Sequence, residues 1–305
     1  MLLFNTISKA LLRKEYKRRL TAALEPLDNS YRFFFLPQGL GDILFFCMYA
    51  HAYRQKNPQE HISLIVTKPH VRDLAEMFLE DIDLLLQIDE RYYRMGDTTR
   101  FYYLYPHIYN PAFPQDNLAE AVRNALGLPK GAERVIPEVE SNPYLMGRLL
   151  GKKTRRRIAM IAPDANSCNP MLSDQDWSSV AKNLEKKGYC VVFNNKDKDR
   201  FPNFVNVFLS VKEMIQFCNE CALFIGYRSG LCDVISAFCR CRQIVIYPND
   251  RKKGEFDCVE GYDQNPNQRY MEYCSLKSIF PEAEVKEFIY DKNNYMQKLE
   301  ELIYG

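Results

Sequence analysis

No run in the 305-residue sequence stays apolar for the ~20 residues that a bilayer-spanning helix needs, so an ordinary helical membrane protein is not expected. The opening MLLFNTISKALLRKEYKRRL also lacks the long apolar core and small-residue cleavage site of a secretory signal, and the expectation is a cytosolic protein. Charge of one sign is scarce as well. A net charge of +2 gives no global reason to bind nucleic acid. What is present, 47% hydrophobic and 26% charged residues, suits a soluble globular chain long enough for two domains.

Charge is nevertheless uneven along the chain. Over residues 1–20, Lys9, Arg13, Lys14, Lys17, Arg18 and Arg19 outnumber Glu15, while Leu3, Ile7 and Leu11 recur at helical spacing. This predicts a basic amphipathic helix over residues 1–24, suited to an anionic membrane face or to packing its leucines on the protein body; a mitochondrial presequence is a third reading. Among ten cysteines, Cys218 and Cys221 with Cys239 and Cys241 have paired metal-ligand spacing. Their placement on the apolar faces of expected helices and at a strand start predicts buried free thiols in a reducing compartment instead.

The second half alternates apolar strands with amphipathic helices. Residues 157–162 read as a buried strand, followed by a helix that Ser173 caps and Gly188 closes, with Trp177, Val180, Ala181 and Leu184 on one face. Strand 189–193, a helix capped by Ser210 with Glu213, strand 222–226, a helix capped by Ser229, and strand 243–247 continue the cycle. The first half repeats the grammar with strands at 31–36, 62–66 and 84–88 and helices from about Asp42 and Pro69. Fully apolar strands alternating with helices predict parallel sheets covered on both faces. The basic run 151–156 reads as the linker between residues 25–150 and 151–290, and Asp291 opens a final helix over 291–305, long enough to cross back onto the first domain.

Two turns carry candidate chemistry. Gly39-Leu40-Gly41-Asp42 leaves the first strand and opens a helix, but a dinucleotide site wants a small residue at Leu44 and an acid where Thr67 and Lys68 stand. Asp42 reads either as a helix-start carboxylate or as a base that takes the proton of an attacking hydroxyl. Tyr227-Arg228-Ser229-Gly230-Leu231 places a guanidinium and free amides at a helix start, suited to a departing diphosphate; the plain alternative pairs Arg228 with Asp233. The loop 164–169, with Asn166, is polar at a strand end. The aromatic tract from Tyr92 to His107 is expected mostly to pack the first domain, with His107 structural.

In order along the chain, these features resemble a GT-B glycosyltransferase of the heptosyltransferase-like group, glycosyltransferase family 9. Gly41-Asp42 resembles that family's glycine-aspartate turn, Trp177 follows the loop that opens the second domain, and Ser229-Gly230-Leu231 resembles its threonine-glycine-leucine donor motif. The likeness covers roughly residues 31–250. It implies an α/β fold of two doubly wound Rossmann-like domains facing a central cleft, an acceptor domain first and a donor domain second.

The resemblance further implies inverting transfer of a sugar from a nucleotide-sugar donor to a hydroxyl of a surface glycan or lipid-linked acceptor, at or near the inner face of the plasma membrane. Asp42 would be the catalytic base and Gly39 and Gly41 the acceptor-side loop. Arg228, Ser229, Gly230, Leu231, Asn166 and Asn194 would hold the donor, with no cofactor and no metal. Pro170 replaces a lysine of the family, Arg228 an aspartate and Asp233 a histidine, so a cation would have moved from one phosphate-facing loop to another. The alternatives are an NADP-dependent oxidoreductase with Lys68 beside the extra phosphate, and a catalytically silent nucleotide-sugar-binding subunit.

Overall fold

The computed structural model describes residues 15, 18, 22, 24–25, 27–36, 39–88, 101–104, 117–151, 157–165, 169–250 and 265–304. The segment expected as a basic helix lies largely outside the described residues; linker positions 152–156, Asn166, Tyr92 and His107 lie wholly outside them.

The first domain holds β1 (Tyr31–Phe35), β2 (His61–Val66), β3 (Leu84–Gln87) and β4 (Phe101–Tyr103), in the order β3-β2-β1-β4. All neighbours run parallel, with Phe34 opposite Leu64 on one side and Tyr102 on the other. Alternate residues feed opposite faces. Phe33, Phe35 and Ile65 pack with Leu24 and Ile88, whereas Phe34, Ile62 and Leu64 pack against α1 (Leu40–Lys56). That helix is buried without interruption from Ile43 to Ala50, because it lies between its own sheet and the second domain. Within the aromatic tract, Tyr102 stands edge-on to Phe34 with centroids 5.9 Å apart and donates to the Ala125 carbonyl at 3.0 Å. There it packs the first domain, as expected. Further α-helices among the described residues of this domain are α2 (Pro69–Ala75), α3 (Leu118–Ala125) and α4 (Pro143–Leu150).

The second domain runs β5 (Arg157–Ala162), α5 (Asp174–Lys186), β6 (Tyr189–Asn194), β7 (Val205–Val207), α6 (Val211–Asn219), β8 (Leu223–Tyr227), α7 (Gly230–Phe238), β9 (Arg242–Tyr247), α8 (Pro266–Tyr273), α9 (Leu276–Ile279), β10 (Val285–Ile289) and α10 (Tyr295–Tyr304). Its sheet is parallel throughout, in the order β10-β9-β8-β5-β6-β7. The strand order reverses between β5 and β8, and in the first sheet between β1 and β4; ligands of doubly wound sheets settle at such points, beyond the strands' carboxyl ends.

Both expected capping boxes form. Ser173 accepts the Asp176 amide while Asp176 accepts the Ser173 amide, and Ser210 and Glu213 do the same for α6. Gly188 takes φ +85° to end α5. The last helix departs from expectation, because α10 does not return to the first domain. Leu299 and Ile303 are buried with Trp177 and Leu184, the Tyr295 hydroxyl donates to Asp176 at 2.6 Å, and Arg242 donates to the Ile303 carbonyl at 2.6 Å. Its apolar stripe is satisfied by the nearer surface, α5 and β9.

No helix among the described residues is long and apolar enough to cross a membrane. Eight of the cysteines, at 47, 190, 218, 221, 232, 239, 241 and 274, are buried. Burial pushes the Cys218 and Cys221 thiols up, away from the thiolate that metals and oxidants require. A thiol-reactive dye is therefore expected to leave these eight unmodified in the native protein and to reach them only after denaturant is added. Rapid native labelling of Cys218 or Cys221, located by peptide mapping, would contradict their burial.

Candidate functional site

The carboxyl ends of β1 and β8 each lead straight into a helix, and the two helix starts touch. A Cβ on Gly230 would lie 2.5 Å from the Gly41 amide nitrogen and 3.1 Å from that of Leu40. A Cβ on Gly41 would collide with Asp233 Oδ2. Neither glycine has a positive φ, so what each supplies is close approach of two backbones. Substituting Gly230→Ala must separate α1 from α7, since backbone lies in the way. The expected result is a loss of about 1–3 kcal/mol in denaturant stability, together with weakened ligand binding at the junction. Unchanged stability would show that the contact is not tight.

Two helix amino termini meeting in this way converge unpaired amides and the positive ends of two dipoles. Around the contact, Gly39, Leu40, Asp42, Ser229, Gly230 and Leu231 are all partly exposed and form its rim. Asp42 sits three residues past Gly39, which occupies the cap position of α1. A Cβ on Gly39 would meet nothing within 4 Å, leaving open space beside that carboxylate's turn. Ser229 holds the cap position of α7, but its side chain makes no capping hydrogen bond, contrary to expectation; its hydroxyl lies 3.8 Å from Cys232 Sγ.

Arg228 is where the structure corrects the sequence reading. The side chain is only 3% exposed and forms a two-pronged pair with Asp233, Nη1 to Oδ2 at 2.9 Å and Nη2 to Oδ1 at 2.6 Å. It also donates to the carbonyls of Cys274 at 3.0 Å and Ser229 at 2.7 Å. The guanidinium is turned into the interior, and the plain alternative, pairing with Asp233, is the one realised. Burial pushes the Asp233 carboxyl up, to about 6, against the pull of the Arg228 guanidinium. Burial acts downward on the guanidinium, but Asp233 together with Tyr247, Cys274 and Tyr270 holds the group above its ordinary range. The pair braces the turn from beneath, fixing where the Ser229 to Leu231 amides point.

The loop after β5 is held by two features that no local pattern revealed. The Tyr227 hydroxyl accepts the amides of Met171 at 3.0 Å and Leu172 at 2.5 Å, and Arg200 bridges Asp164 at 2.7 Å and Asp174 at 2.7 Å. Those ion pairs occupy Arg200, one of the three cations of the β6–β7 loop with Lys196 and Lys198. Asn194, at the end of β6, is half-buried and accepts the Leu209 amide at 3.4 Å, so it secures the neighbouring loop. Asn166 lies outside the described residues. Leu44 is wholly buried, consistent with a helix start that lacks the third small residue of a dinucleotide site.

Three Asp-x-Asp spacings occur, at 81–83, 174–176 and 197–199. Five of these six carboxylates bond to His51, to Arg54, to Arg200, to the α5 capping box and to the Asp199 amide. Among the described residues, no group of three or more His, Cys, Asp or Glu side chains is arranged to hold a metal ion.

Two parallel sheets, each reversing beside a strand that feeds this junction, define the two-domain GT-B arrangement of Rossmann-like halves. Solved structures share it. The E. coli ADP-heptose lps heptosyltransferase II matches at 12% identity and TM-score 0.52, over 89% of this chain and 98% of that chain. A glycosyl transferase family 9 protein from Veillonella parvula matches at 12% identity and TM-score 0.53, over 90% of each. E. coli heptosyltransferase WaaC with ADP matches at 10% identity and TM-score 0.51, over 73% of this chain and 89% of that chain. At these identities the likeness is one of fold. No protein-family model and no curated sequence matches the chain.

Proposed function

We propose that the protein is a glycosyltransferase of the heptosyltransferase-like group, moving a sugar from a nucleotide-sugar donor to an acceptor hydroxyl. The observation that carries this reading is the meeting of the α1 and α7 amino termini at Gly41 and Gly230, with Asp42 on the rim. Converged amides and dipoles suit the diphosphate of a donor and stabilise the negative charge that grows on it as the glycosidic bond breaks. Asp42 takes the acceptor proton, the oxygen attacks the anomeric carbon from the opposite face, and the nucleoside diphosphate leaves with inversion. No metal ion is needed for these steps. Arg228 acts as a positioning residue through Ser229. The acceptor is a surface glycan or its lipid-linked precursor, approached at the inner face of the membrane.

The fold shared with the E. coli and Veillonella parvula proteins supports the class, and the structure of E. coli heptosyltransferase WaaC with ADP supports a nucleoside diphosphate as ligand. A thermal-shift screen with UDP, GDP, ADP, CMP and NADP tests it. One nucleoside diphosphate is expected to raise the melting temperature, since a ligand of the native state stabilises by mass action. Stabilisation by NADP alone would favour the oxidoreductase reading with Lys68. Binding without turnover of any matching sugar donor would favour a silent subunit.

A further inference from the structure

Phe208 follows directly after β7 and is 58% exposed. A lone exposed apolar side chain means little by itself. Its place gives it a direction. The strands β8, β5, β6 and β7 are adjacent in that order, and Phe208 lies at the same carboxyl edge from which α7 starts. Three strand spacings separate the two points by about 14 Å. That matches a nucleoside diphosphate laid along the edge with its phosphates at α7 and its base at β7.

The loop after β6, which lies between them, carries Lys196 and Lys198 beside Asp197 and Asp199, with Arg200 paired to Asp164 and Asp174. Lys196, from the loop after β6, places Nζ 5.6 Å from the Phe208 ring centroid. From the first domain, His70 lies close enough to Lys68 and Lys196 that burial and both ammonium groups push its imidazole below the ordinary range, with Asp73 opposing. The mount of the ring is also fixed. The Asn195 amide donates to the Val207 carbonyl at 2.9 Å, Asn194 accepts the Leu209 amide, and the α6 capping box begins at Ser210.

We propose that Phe208 is the stacking platform for the base of the donor nucleotide, with Lys196 beside it toward the phosphates. This rests on the donor reading above and adds the side chain that meets the base's π face. Every base offers such a face, so the platform contributes affinity to purine and pyrimidine nucleotides alike.

Isothermal titration of ADP, UDP and inorganic pyrophosphate against wild type, Phe208→Ala, Phe208→Leu and Phe208→Trp tests it. Both Phe208→Ala and Phe208→Leu are expected to weaken the better-bound nucleotide about tenfold or more, with Phe208→Trp retaining it and pyrophosphate unaffected. Phe208→Leu keeps apolar bulk and so separates loss of stacking from loss of folding. Nucleotide affinity within about twofold of wild type in both variants, or an equal loss for pyrophosphate, would overturn the platform while leaving the donor reading standing. If the wild type bound neither nucleotide, the donor reading would fail and the platform with it.

Discussion

Asp42→Asn is expected to lower kcat by about 10²–10⁴-fold while nucleoside diphosphate affinity stays within about threefold of wild type. The substitution keeps size and hydrogen-bonding reach but removes the basic oxygen that would accept the acceptor proton. Its structural cost is small. Asp42 lies in the first turn of α1, where a carboxylate is worth only about 0.3–1 kcal/mol against the helix dipole. A purely structural Asp42 would therefore show a modest stability change and near-normal turnover. Steady-state kinetics with the preferred sugar donor, beside titration of the nucleoside diphosphate, separates the two. Retained kcat would assign the residue to helix capping alone.

The largest stability effect is expected at Asp233→Ala. The Arg228 guanidinium is sealed in the interior, and neutral partners such as the Cys274 and Ser229 carbonyls cannot balance its charge. Removing the carboxylate leaves a buried charge unpaired, which costs about 3–5 kcal/mol. A combined Arg228→Met and Asp233→Leu protein is expected to recover most of that loss, because the pair's attraction roughly repays its desolvation and no stranded charge remains. Urea denaturation of the three proteins measures this. An Asp233→Ala protein within about 1 kcal/mol of wild type would mean that water reaches Arg228. The same change empties the space beside Gly41, so it is also expected to loosen the junction.

The fold was legible wherever local chemistry decides it. Apolar runs at 158–162 and, interrupted by Ser63 alone, at 62–66, with the boxes at Ser173 and Ser210, specify their elements without reference to distant residues. β7 and β10 were not legible. The first is three residues long, too short to show a period, and the second carries Lys286 and Glu287 in a sheet-edge strand, where only part of each face is covered. The amphipathic stripe of α10 announces a buried face but not which surface covers it.

At the site, the turns at Gly41 and Ser229 were visible as strand-to-helix transitions. The fate of Arg228 was not, because it depends on contacts far along the chain. Asp233, five residues on, was a visible partner. The burial of the pair is completed by the Cys274 carbonyl and by Gly41 of the other domain, which no local spacing reveals. Tyr227 and Arg200 escaped notice for the same reason: both act on a loop that is remote in sequence. Phe208 carried a faint signal, an aromatic placed two residues before a capping serine, where a polar loop residue is usual.

The most direct measurement is a crystal structure with the stabilising nucleoside diphosphate bound. Phosphate oxygens within hydrogen-bond reach of the Gly230 or Leu231 amides, with Asp42 facing the space beside them, are the predicted result. Phosphates lodged on the first domain's turn beside Lys68, or on a surface away from the α1 and α7 junction, would contradict it.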